Sequence, residues 1–472
     1  MSEAYGLVVI GSGPGGYAAA MAGSRRGWRV ALVERGALGG VCLNVGCIPT
    51  KALIASAHAA RIVREAGAFG VRAESPTIDG AAVLARARRV VEDGRNGLAG
   101  LLRQHRVEVI RGSASFDDPH TIRVSIDGQT TAIAAERIVI ATGASPSSGP
   151  WRFDGERILS YRELLELPTL PESLLIIGGG VIGCEFASCC SQLGVVVTLV
   201  EQQPQLLPTE DPEAVRVIVR RLQAYGVTIA AGTTVRALGR SADGDVVAEL
   251  SSGQSVQAQR CLVAVGLRPN TRDLGLERIG VRGEQGVEVD DSLRTAHPHI
   301  AAIGDCVPGH GLAHLASAEG LAAVRNLAGP TAEPFDRRVV PRCVYTDPEL
   351  AQVGLLESQA DSTVRVSRFN FAALGKAMCD GETEGFVKLL VDPATDRVVG
   401  ATIVGAHASD LIHVAGLAIH HGMTATQLAR SITAHPTWPE SISEAAAQIH
   451  GEALYTSGLV RAPRRTAAVS SP

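Results

Sequence analysis

Two cysteines, Cys42 and Cys47, are separated by four residues within the segment 39–51, which reads G-G-V-C-L-N-V-G-C-I-P-T-K. On an unbroken α-helix, residues five apart lie ~8.6 Å from each other between Cα atoms, whereas Cα atoms joined by a disulfide usually lie within ~7 Å. The pair can therefore close only if the backbone bends between them, and Gly46 and Pro49 permit a bend. A strained, accessible disulfide is easily reduced. The spacing predicts a disulfide that is made and broken during turnover.

A glycine pattern, G-x-G-x-x-G, follows an apolar strand twice in this chain, and an acidic residue ends the next strand at the same spacing each time. The residues are Gly11, Gly13, Gly16 and Glu34 in the first copy, and Gly178, Gly180, Gly183 and Glu201 in the second. Such glycines make a tight turn, admit a pyrophosphate close to the backbone, and let helix pack on strand, while the acid binds a ribose hydroxyl. We therefore expect two dinucleotide sites. Glu201 favours NAD over NADP, because a carboxylate repels a 2′-phosphate.

Length and composition limit the remaining possibilities. The chain has 472 residues, 52 glycines and 4% aromatic residues, which predicts an α/β protein of several domains. A net charge of −4 gives no electrostatic reason to bind nucleic acid or an anionic membrane. We find no apolar run of the ~18 residues that a membrane span needs, and strand 7–10 begins too early to leave room for a targeting peptide. These features predict a cytoplasmic protein, and the histidine spacings predict no metal site.

The segment 434–440, A-H-P-T-W-P-E, holds a second group that could do chemistry. A dithiol loses protons as it attacks a disulfide, and the imidazole of His435 has a suitable pKa to accept them. Glu440 would orient the imidazole through its second nitrogen. The alternative is that Thr437 and Glu440 form a capping box at the start of a helix. Both roles of Glu440 are compatible.

These motifs identify the chain as similar to the pyridine nucleotide–disulfide oxidoreductases over about residues 5–455, in the branch that oxidises dihydrolipoyl groups with NAD⁺. The segments 39–51, 141–143, 304–305, 312–314 and 434–437 follow in the family order. The resemblance implies two Rossmann-like domains for FAD and NAD and a C-terminal α/β dimerisation domain. It implies an FAD-binding domain (1–146), an NAD-binding domain (147–270), a central segment completing the FAD site (271–341), an interface domain (342–460) and a flexible tail (461–472).

The resemblance also implies roles for individual residues. Cys47 should face the flavin while Cys42 exchanges with substrate, and Lys51 should lie near the flavin paired with Glu185. Further FAD contacts are expected from Gly40, Ala114, Thr142, Gly143, Asp305 and Ala313, and further NAD contacts from Ile182, Val235 and Gly266. His435 should serve the disulfide of the other subunit, which implies a homodimer. The substrate would be free dihydrolipoamide or a lipoyl-bearing carrier protein.

Two other functions stay open at this point. One is an NAD(P)H-dependent reductase of another small disulfide, although the carboxylate of Glu201 disfavours the binding of NADP. The other is a redox sensor that keeps the fold without turnover. The chain also departs from the family where Trp438 and Pro439 replace the usual Leu-Ser and Thr433 replaces a frequent histidine. We expect Trp438 to lie near the substrate channel and to narrow it.

Overall fold

The computed structural model describes residues 4–309, 311–329 and 331–456, so the predicted tail 461–472 lies outside the described residues. The chain forms two compact units that interleave along the sequence. Of the described residues, the first unit contains those within 4–56, 77–170 and 263–336, and the second contains those within 57–76, 171–262 and 337–456.

The chain contains helices, which are given first, and strands. The helices are α1 (Pro14–Arg25), α2 (Gly40–Asn44), α3 (Cys47–Glu65), α4 (Gly80–Gln104), α5 (Tyr161–Glu166), α6 (Val181–Gln192), α7 (Pro212–Ala224), α8 (Ala313–Ala328), α9 (Gly375–Asp380), α10 (Ala408–His420), α11 (Ala425–Ala429) and α12 (Glu440–Gln448). Short 3₁₀ helices lie at Ala66–Phe69, Leu276–Ile279, Gly304–Cys306, Glu357–Gln359 and Phe371–Ala373.

The strands are β1 (Leu7–Ile10), β2 (Val30–Glu34), β3 (Glu108–Arg111), β4 (Ser113–Asp118), β5 (Thr121–Ile126), β6 (Gln129–Ala134), β7 (Ile138–Ile140), β8 (Ala144–Pro146), β9 (Ile158–Leu159), β10 (Ser173–Ile177), β11 (Val196–Glu201), β12 (Thr228–Ala231), β13 (Val235–Arg240), β14 (Val246–Leu250), β15 (Ser255–Ala258), β16 (Arg260–Val263), β17 (Leu267–Pro269), β18 (Ile300–Ala302), β19 (Arg342–Val344), β20 (Glu349–Gly354), β21 (Arg365–Asn370), β22 (Phe386–Val391) and β23 (Val398–Gly405).

The first unit is built on a parallel sheet in the order β18-β7-β1-β2-β3. Strand β1 is buried on both faces, as expected for a parallel sheet covered on both sides. Helix α1 packs on α8 at glycines, since a Cβ on Gly320 would lie 2.5 Å from the Gly15 carbonyl oxygen. The antiparallel sheet β4-β5-β6 belongs to the same unit and shares a hydrophobic core with the parallel sheet. These contacts fix the turn that follows β1.

The second unit contains two layered parts. One is a sheet in which β10 pairs with β11 and β11 with β12, all parallel, and α6 follows β10. The other is the antiparallel sheet β19-β20-β23-β22-β21, against which α10 and α12 pack. Every residue of β22 is buried. The α/β class with two nucleotide-binding folds and a C-terminal α/β domain is thus confirmed.

A row of polar side chains crosses the antiparallel sheet inside the second unit. Gln352, Thr402 and Lys388 are register neighbours on β20, β23 and β22, and all three are buried. The Lys388 ammonium lies 2.8 Å from Asp211 Oδ2 and 2.6 Å from Glu357 Oε2. Asp211 caps the N-terminus of α7. Although burial lowers it, the pKa of Lys388 is raised overall because these carboxylates stabilise the ammonium.

Residues 40–69 form a helical segment with the length and composition of a membrane span, which the sequence analysis did not predict. Its most apolar window has a mean hydropathy of 1.3, and 28% of that window is buried. The segment is interrupted between α2 and α3. Core helices of proteins outside membranes have similar lengths and compositions, so this observation by itself is weak evidence for a membrane span.

Candidate active site

The two cysteines lie on either side of a break between helices. Helix α2 ends at Asn44 and α3 begins with Cys47, so the backbone bends at residues 45–46 as the spacing requires. A Cβ at Gly46 would lie 3.0 Å from the Val41 carbonyl oxygen, which is tighter than usual and favours glycine there. The predicted role of Pro49 in the bend is wrong. Pro49 lies in the first turn of α3, where proline fits because that turn lacks backbone acceptors for its N–H groups.

Cys42 and Cys47 are half-buried thiols that interact with each other. The side-chain hydrogen bond to Cys47 and then burial raise the pKa of the Cys42 thiol far above its ordinary value, while Lys51 opposes the rise. This favours the state in which Cys42 keeps its proton. The N-terminus of α3 stabilises negative charge at its first residue. The position of Cys47 at the start of α3 therefore favours it over Cys42 as the sulfur that carries a thiolate.

Two residues beside the cysteine pair were missed by the sequence analysis. Asn44 donates from Nδ2 to the carbonyl oxygens of Gly40 (2.7 Å) and Leu38 (2.9 Å), which holds the short helix α2 closed. Tyr17 on α1 lies near both thiols, and burial followed by the charge of Cys42 raises its pKa. Asn44 lies within the cysteine motif, so its position in the sequence offered a signal. Tyr17 offered no signal in the sequence beyond its position on α1, the helix that follows the first glycine turn.

The first glycine turn has the geometry that a dinucleotide needs. Gly11 has φ +101°, and a Cβ at Gly16 would lie 1.9 Å from the Gly11 carbonyl oxygen, so strand and helix pack too closely for a side chain. A Cβ at Gly13 would meet nothing within 4 Å. A Cβ at Gly40 would lie 2.6 Å from Gly13 Cα, so the segment before the cysteines packs directly on this turn. The open side at Gly13 fits a pyrophosphate.

Glu34 is hydrogen-bonded to the first glycine turn and is not merely a solvent-exposed residue at the end of β2. Its Oε2 accepts from the Ser12 amide at 2.9 Å and the Ser12 hydroxyl at 2.6 Å, and its Oε1 accepts from the Gly36 amide at 2.7 Å. The Ser12 hydroxyl also accepts from the Gly39 amide at 3.1 Å. Ser12 therefore links the acid of the fingerprint to the segment that carries the cysteines, a role that the sequence analysis missed.

The second glycine turn repeats this geometry within the second unit. Gly178 has φ +110°, a Cβ at Gly183 would lie 1.9 Å from the Gly178 carbonyl oxygen, and Gly180 is open. Glu201 is 7% exposed and accepts from the Gly179 amide at 2.6 Å. The two turns therefore fit the same kind of ligand. The nearby buried carboxylate of Glu201 disfavours a second phosphate on the ribose.

The A-T-G turn after β7 is held by an asparagine that the sequence analysis did not single out. Asn270 donates from Nδ2 to the Thr142 carbonyl oxygen at 3.0 Å, and its amide donates to the Gly143 carbonyl oxygen at 2.8 Å. The Thr142 hydroxyl donates to the Asn270 carbonyl oxygen at 2.7 Å. Gly143 has φ +68°, with nothing within 4 Å of a Cβ. Asn270 lies four residues after Gly266, which the sequence analysis had singled out, and this nearness was the available signal.

Asp305 lies in the first unit within the 3₁₀ turn after β18. Burial and then the charge of Glu319 raise the pKa of Asp305 above its ordinary range. Glu319 on α8 accepts from the Gly304 amide at 2.8 Å and so fixes this turn. A buried carboxyl with a raised pKa is suited to hydrogen bonding with a polyol such as the ribityl chain.

His435 and Glu440 form the pair that the sequence predicts, whereas the predicted capping box is wrong, because α12 begins at Glu440 with Pro439 as its N-cap residue. His435 Nδ1 lies 2.8 Å from Glu440 Oε1, while Oε2 accepts from the Thr437 amide at 2.7 Å. The His435 side chain is 67% exposed and that of Glu440 is 16% exposed. The Thr437 hydroxyl donates to the Ala434 carbonyl oxygen instead of completing the capping box. The arrangement leaves Nε2 of an exposed imidazole directed away from its carboxylate partner.

The other predicted site residues lie at element ends or on nucleotide-binding folds. Lys51 is on α3, Ala114 on β4, Ala313 at the start of α8, Ile182 and Glu185 on α6, Val235 at the start of β13, and Gly266 (φ +125°) before β17. Glu185 is 4% exposed and accepts from the Tyr345 amide at 3.0 Å. Its pairing with Lys51 stays a prediction, as do the cofactor contacts of the other residues.

The comparisons with known proteins agree with this geometry. Residues 5–320 match the model of the pyridine nucleotide-disulphide oxidoreductases, and residues 340–446 match the dimerisation domain of that family, which supports a homodimer. A dihydrolipoyl dehydrogenase from Geobacillus stearothermophilus is 41% identical over 447 residues, covering 93% of this chain and 95% of the relative. One from Chlorobaculum tepidum is 40% identical over 455 residues, covering 94% of this chain and 97% of the relative.

Solved structures give the same result. LpdA from Mycobacterium tuberculosis has a TM-score of 0.88 and 31% identity, covering 94% of this chain and 99% of the other. The flavoprotein disulfide reductase RclA from Escherichia coli, solved as a Cu(II) complex, has a TM-score of 0.85 and 29% identity over 94% of this chain and 99% of its own. The predicted family, oxidoreductase class and FAD and NAD cofactors are confirmed. With both glycine turns shaped for a dinucleotide and a cysteine pair packed on the first, the chain belongs to the pyridine nucleotide-disulphide oxidoreductases.

Proposed function

We propose that this enzyme oxidises dihydrolipoyl groups with NAD⁺, yielding the lipoyl disulfide, NADH and a proton. The observation that carries the proposal is the packing of the cysteine segment on the first glycine turn, with Gly40 against Gly13. This packing puts a reducible pair beside a turn that fits a dinucleotide. The relatives named dihydrolipoyl dehydrogenase support the choice of substrate, as does the carboxylate of Glu201 in the second turn.

In the proposed mechanism Cys42 is the sulfur that exchanges with substrate. A substrate thiolate attacks Sγ of Cys42, the Cys42–Cys47 bond breaks, and Cys47 leaves as a thiolate stabilised at the N-terminus of α3. The second thiolate of the substrate then attacks the substrate sulfur of the mixed disulfide. This step releases the cyclic lipoyl disulfide and the thiolate of Cys42. Bound FAD would supply the two-electron path from the dithiol to NAD⁺.

His435 is proposed to accept the protons that the substrate thiols release. Glu440 holds Nδ1 at 2.8 Å, so Nε2 is the nitrogen available to a thiol. In the homodimer that we propose, the imidazole of one subunit serves the cysteine pair of the other. The match to the family's dimerisation domain supports this arrangement. Lys51 and Glu185 are proposed to pair and to keep a positive charge near the flavin.

The proposal extends to the organisation of the chain. We assign residues 1–146 to FAD, 147–270 to NAD, 271–341 to completion of the FAD site and 342–460 to the dimer interface. The cytoplasmic location and the absence of membrane binding stay predictions, and cell fractionation tests them: recovery of the enzyme with membranes at low salt would contradict both.

The test uses the purified enzyme with dihydrolipoamide and NAD⁺, followed by NADH absorbance. We expect turnover with NAD⁺, much slower turnover with NADP⁺, and loss of turnover in C42S. The same enzyme is then offered lipoylated carrier proteins and, in the reverse direction, glutathione-like disulfides with NADH or NADPH. A preference for NADPH and a small peptide disulfide would replace the proposal with the reductase alternative. Absence of turnover with every dithiol and disulfide would favour the redox sensor.

A further inference from the structure

Trp438 occupies the middle of the segment that carries the proposed base. Its side chain is 7% exposed, and its ring packs edge-on against Phe371 with the ring centres 5.2 Å apart. The indole Nε1 donates to Asp380 Oδ2 at 3.2 Å. The prediction that Trp438 narrows a substrate channel is therefore not supported by its position in this chain, because the indole is buried in the hydrophobic core of the C-terminal domain.

Asp380, the acceptor, belongs to a well-anchored element. It is the last residue of α9, and its Oδ1 accepts from Lys376 Nζ at 2.8 Å. Glu382, two residues further on, lies 2.5 Å from the guanidinium of Arg61, which is itself buried. Asp380 is thus tied both to its own helix and, through the following turn, to α3. A bond to Asp380 therefore connects its donor to α9 and, through the following turn, to Arg61.

The other hydrogen bonds around His435 are local to its own segment and to α12. Glu440, which begins α12, accepts from both His435 and the Thr437 amide. Thr433 and Ser443 share a hydroxyl hydrogen bond of 2.9 Å. These bonds set the internal shape of the segment, whereas the indole of Trp438 bonds to a different element. The exposed imidazole is therefore held through α12, which packs on the antiparallel sheet, and the indole bond adds a second connection from its segment to α9.

We propose that Trp438 is a positioning residue for the proton-accepting step, acting through its hydrogen bond to Asp380 on the segment 434–440. The inference rests on the proposed function, in which His435 takes the protons of the dithiol. The bond from the indole to the Asp380 carboxylate joins this segment to α9. Small displacements of a catalytic group are costly, since a misplacement of ~1 Å can lower a rate by about 10²-fold.

The variants separate the hydrogen bond from packing and charge. W438F keeps an aromatic ring and removes the N–H, and D380A removes the acceptor, whereas D380N keeps an acceptor oxygen. W151F is the matched control, because Trp151 is a half-buried tryptophan in the first unit. Each variant is assayed for dihydrolipoamide oxidation and for NADH oxidation by ferricyanide, which requires no proton transfer from a dithiol. The His435 imidazole is titrated by NMR in the same proteins.

We expect W438F and D380A to lower kcat for dihydrolipoamide about 3- to 10-fold, below the ~10²-fold limit for larger misplacements. The ferricyanide rate should stay unchanged, and D380N and W151F should resemble wild type. The pH profile of the dithiol reaction and the NMR pKa of His435 should shift together in W438F. Equal losses in both reactions, or a W438F enzyme with unaltered dithiol rate, pH profile and His435 titration, would overturn the inference.

Failure of the proposed function gives a different result. In that case wild-type enzyme would not oxidise dihydrolipoamide at all, whereas the His435 titration would still report whether Trp438 positions the imidazole. A shifted His435 pKa in W438F would then support the positioning role, and an unshifted one would overturn it.

Discussion

At the scale of single residues, the two cysteines are chemically unequal. Cys42 is hydrogen-bonded to Cys47 and has a raised pKa, and Cys47 is the first residue of α3. A thiolate is therefore more stable on Cys47 than on Cys42. This inequality gives the order of events in the proposed exchange, with Cys42 meeting the substrate.

The inequality predicts different spectra for the two single cysteine variants. Both C42S and C47S should lose dihydrolipoamide turnover by more than about 10³-fold, because each removes one sulfur of the disulfide. C42S should keep the long-wavelength absorbance that a thiolate gives beside an oxidised flavin, whereas C47S should lose it. Absorbance spectra of the purified variants between neutral and alkaline pH measure this. A band present in C47S and absent from C42S would reverse the roles of the two sulfurs.

At the scale of elements, sequence reasoning worked best where one residue type is required by geometry. The glycines at the ends of β1 and β10 were predictable because close contact and positive φ exclude side chains there. Asn270 and Ser12 were not predicted, since asparagine and serine occur in many turns and their partners are distant in sequence. Trp438 was misplaced because nothing in its own segment indicates Asp380, which lies 58 residues earlier.

The second glycine turn allows a matched pair of substitutions. In G183A the new methyl group would lie 1.9 Å from the Gly178 carbonyl oxygen, whereas in G180A it would meet nothing within 4 Å. We expect G183A to lower the free energy of unfolding by about 1–3 kcal/mol, as overpacking does. G180A should unfold like wild type but raise KM for NAD⁺ several-fold, because its methyl group points where the pyrophosphate would bind.

Denaturant unfolding and steady-state kinetics with NAD⁺ distinguish the two effects. The KM for dihydrolipoamide serves as the control in G180A, since that substrate does not bind at the second turn. An unaltered KM for NAD⁺ in G180A would show that the open side of the turn does not face the cofactor.

At the scale of the whole molecule, a histidine cluster in the first unit should make stability depend on pH. His299 and His120 stack with ring centres 4.0 Å apart, and His297 lies 5.7 Å from His299. Burial is the largest cause of the lowered pKa of His299, and the neighbouring histidines lower it further. The neutral form is therefore favoured in the folded state, and this contribution is present above the ordinary histidine pKa of ~6.5.

As pH falls below ~6.5 toward the folded pKa of His299, that contribution is lost, so the thermal midpoint should fall between about pH 7 and pH 5. H299Q should show a shallower decline, because glutamine does not titrate. H413Q is the control, since His413 is exposed on α10. Thermal melts across this range measure the effect, and equal slopes in wild type and H299Q would contradict it.

The buried ammonium of Lys388 has a consequence for how this chain can be divided. It lies on the C-terminal sheet, while its partner Asp211 caps a helix of the nucleotide-binding part. Cutting the gene between those parts would leave Lys388 with Glu357 as its remaining partner in one fragment, and would leave the acids Asp211 and Glu213 without Lys388 in the other. The fragment that keeps Asp211 would carry the cost of an unmatched charge. Exchanging either part for that of a relative should therefore succeed only when Lys388 and Asp211 are exchanged together.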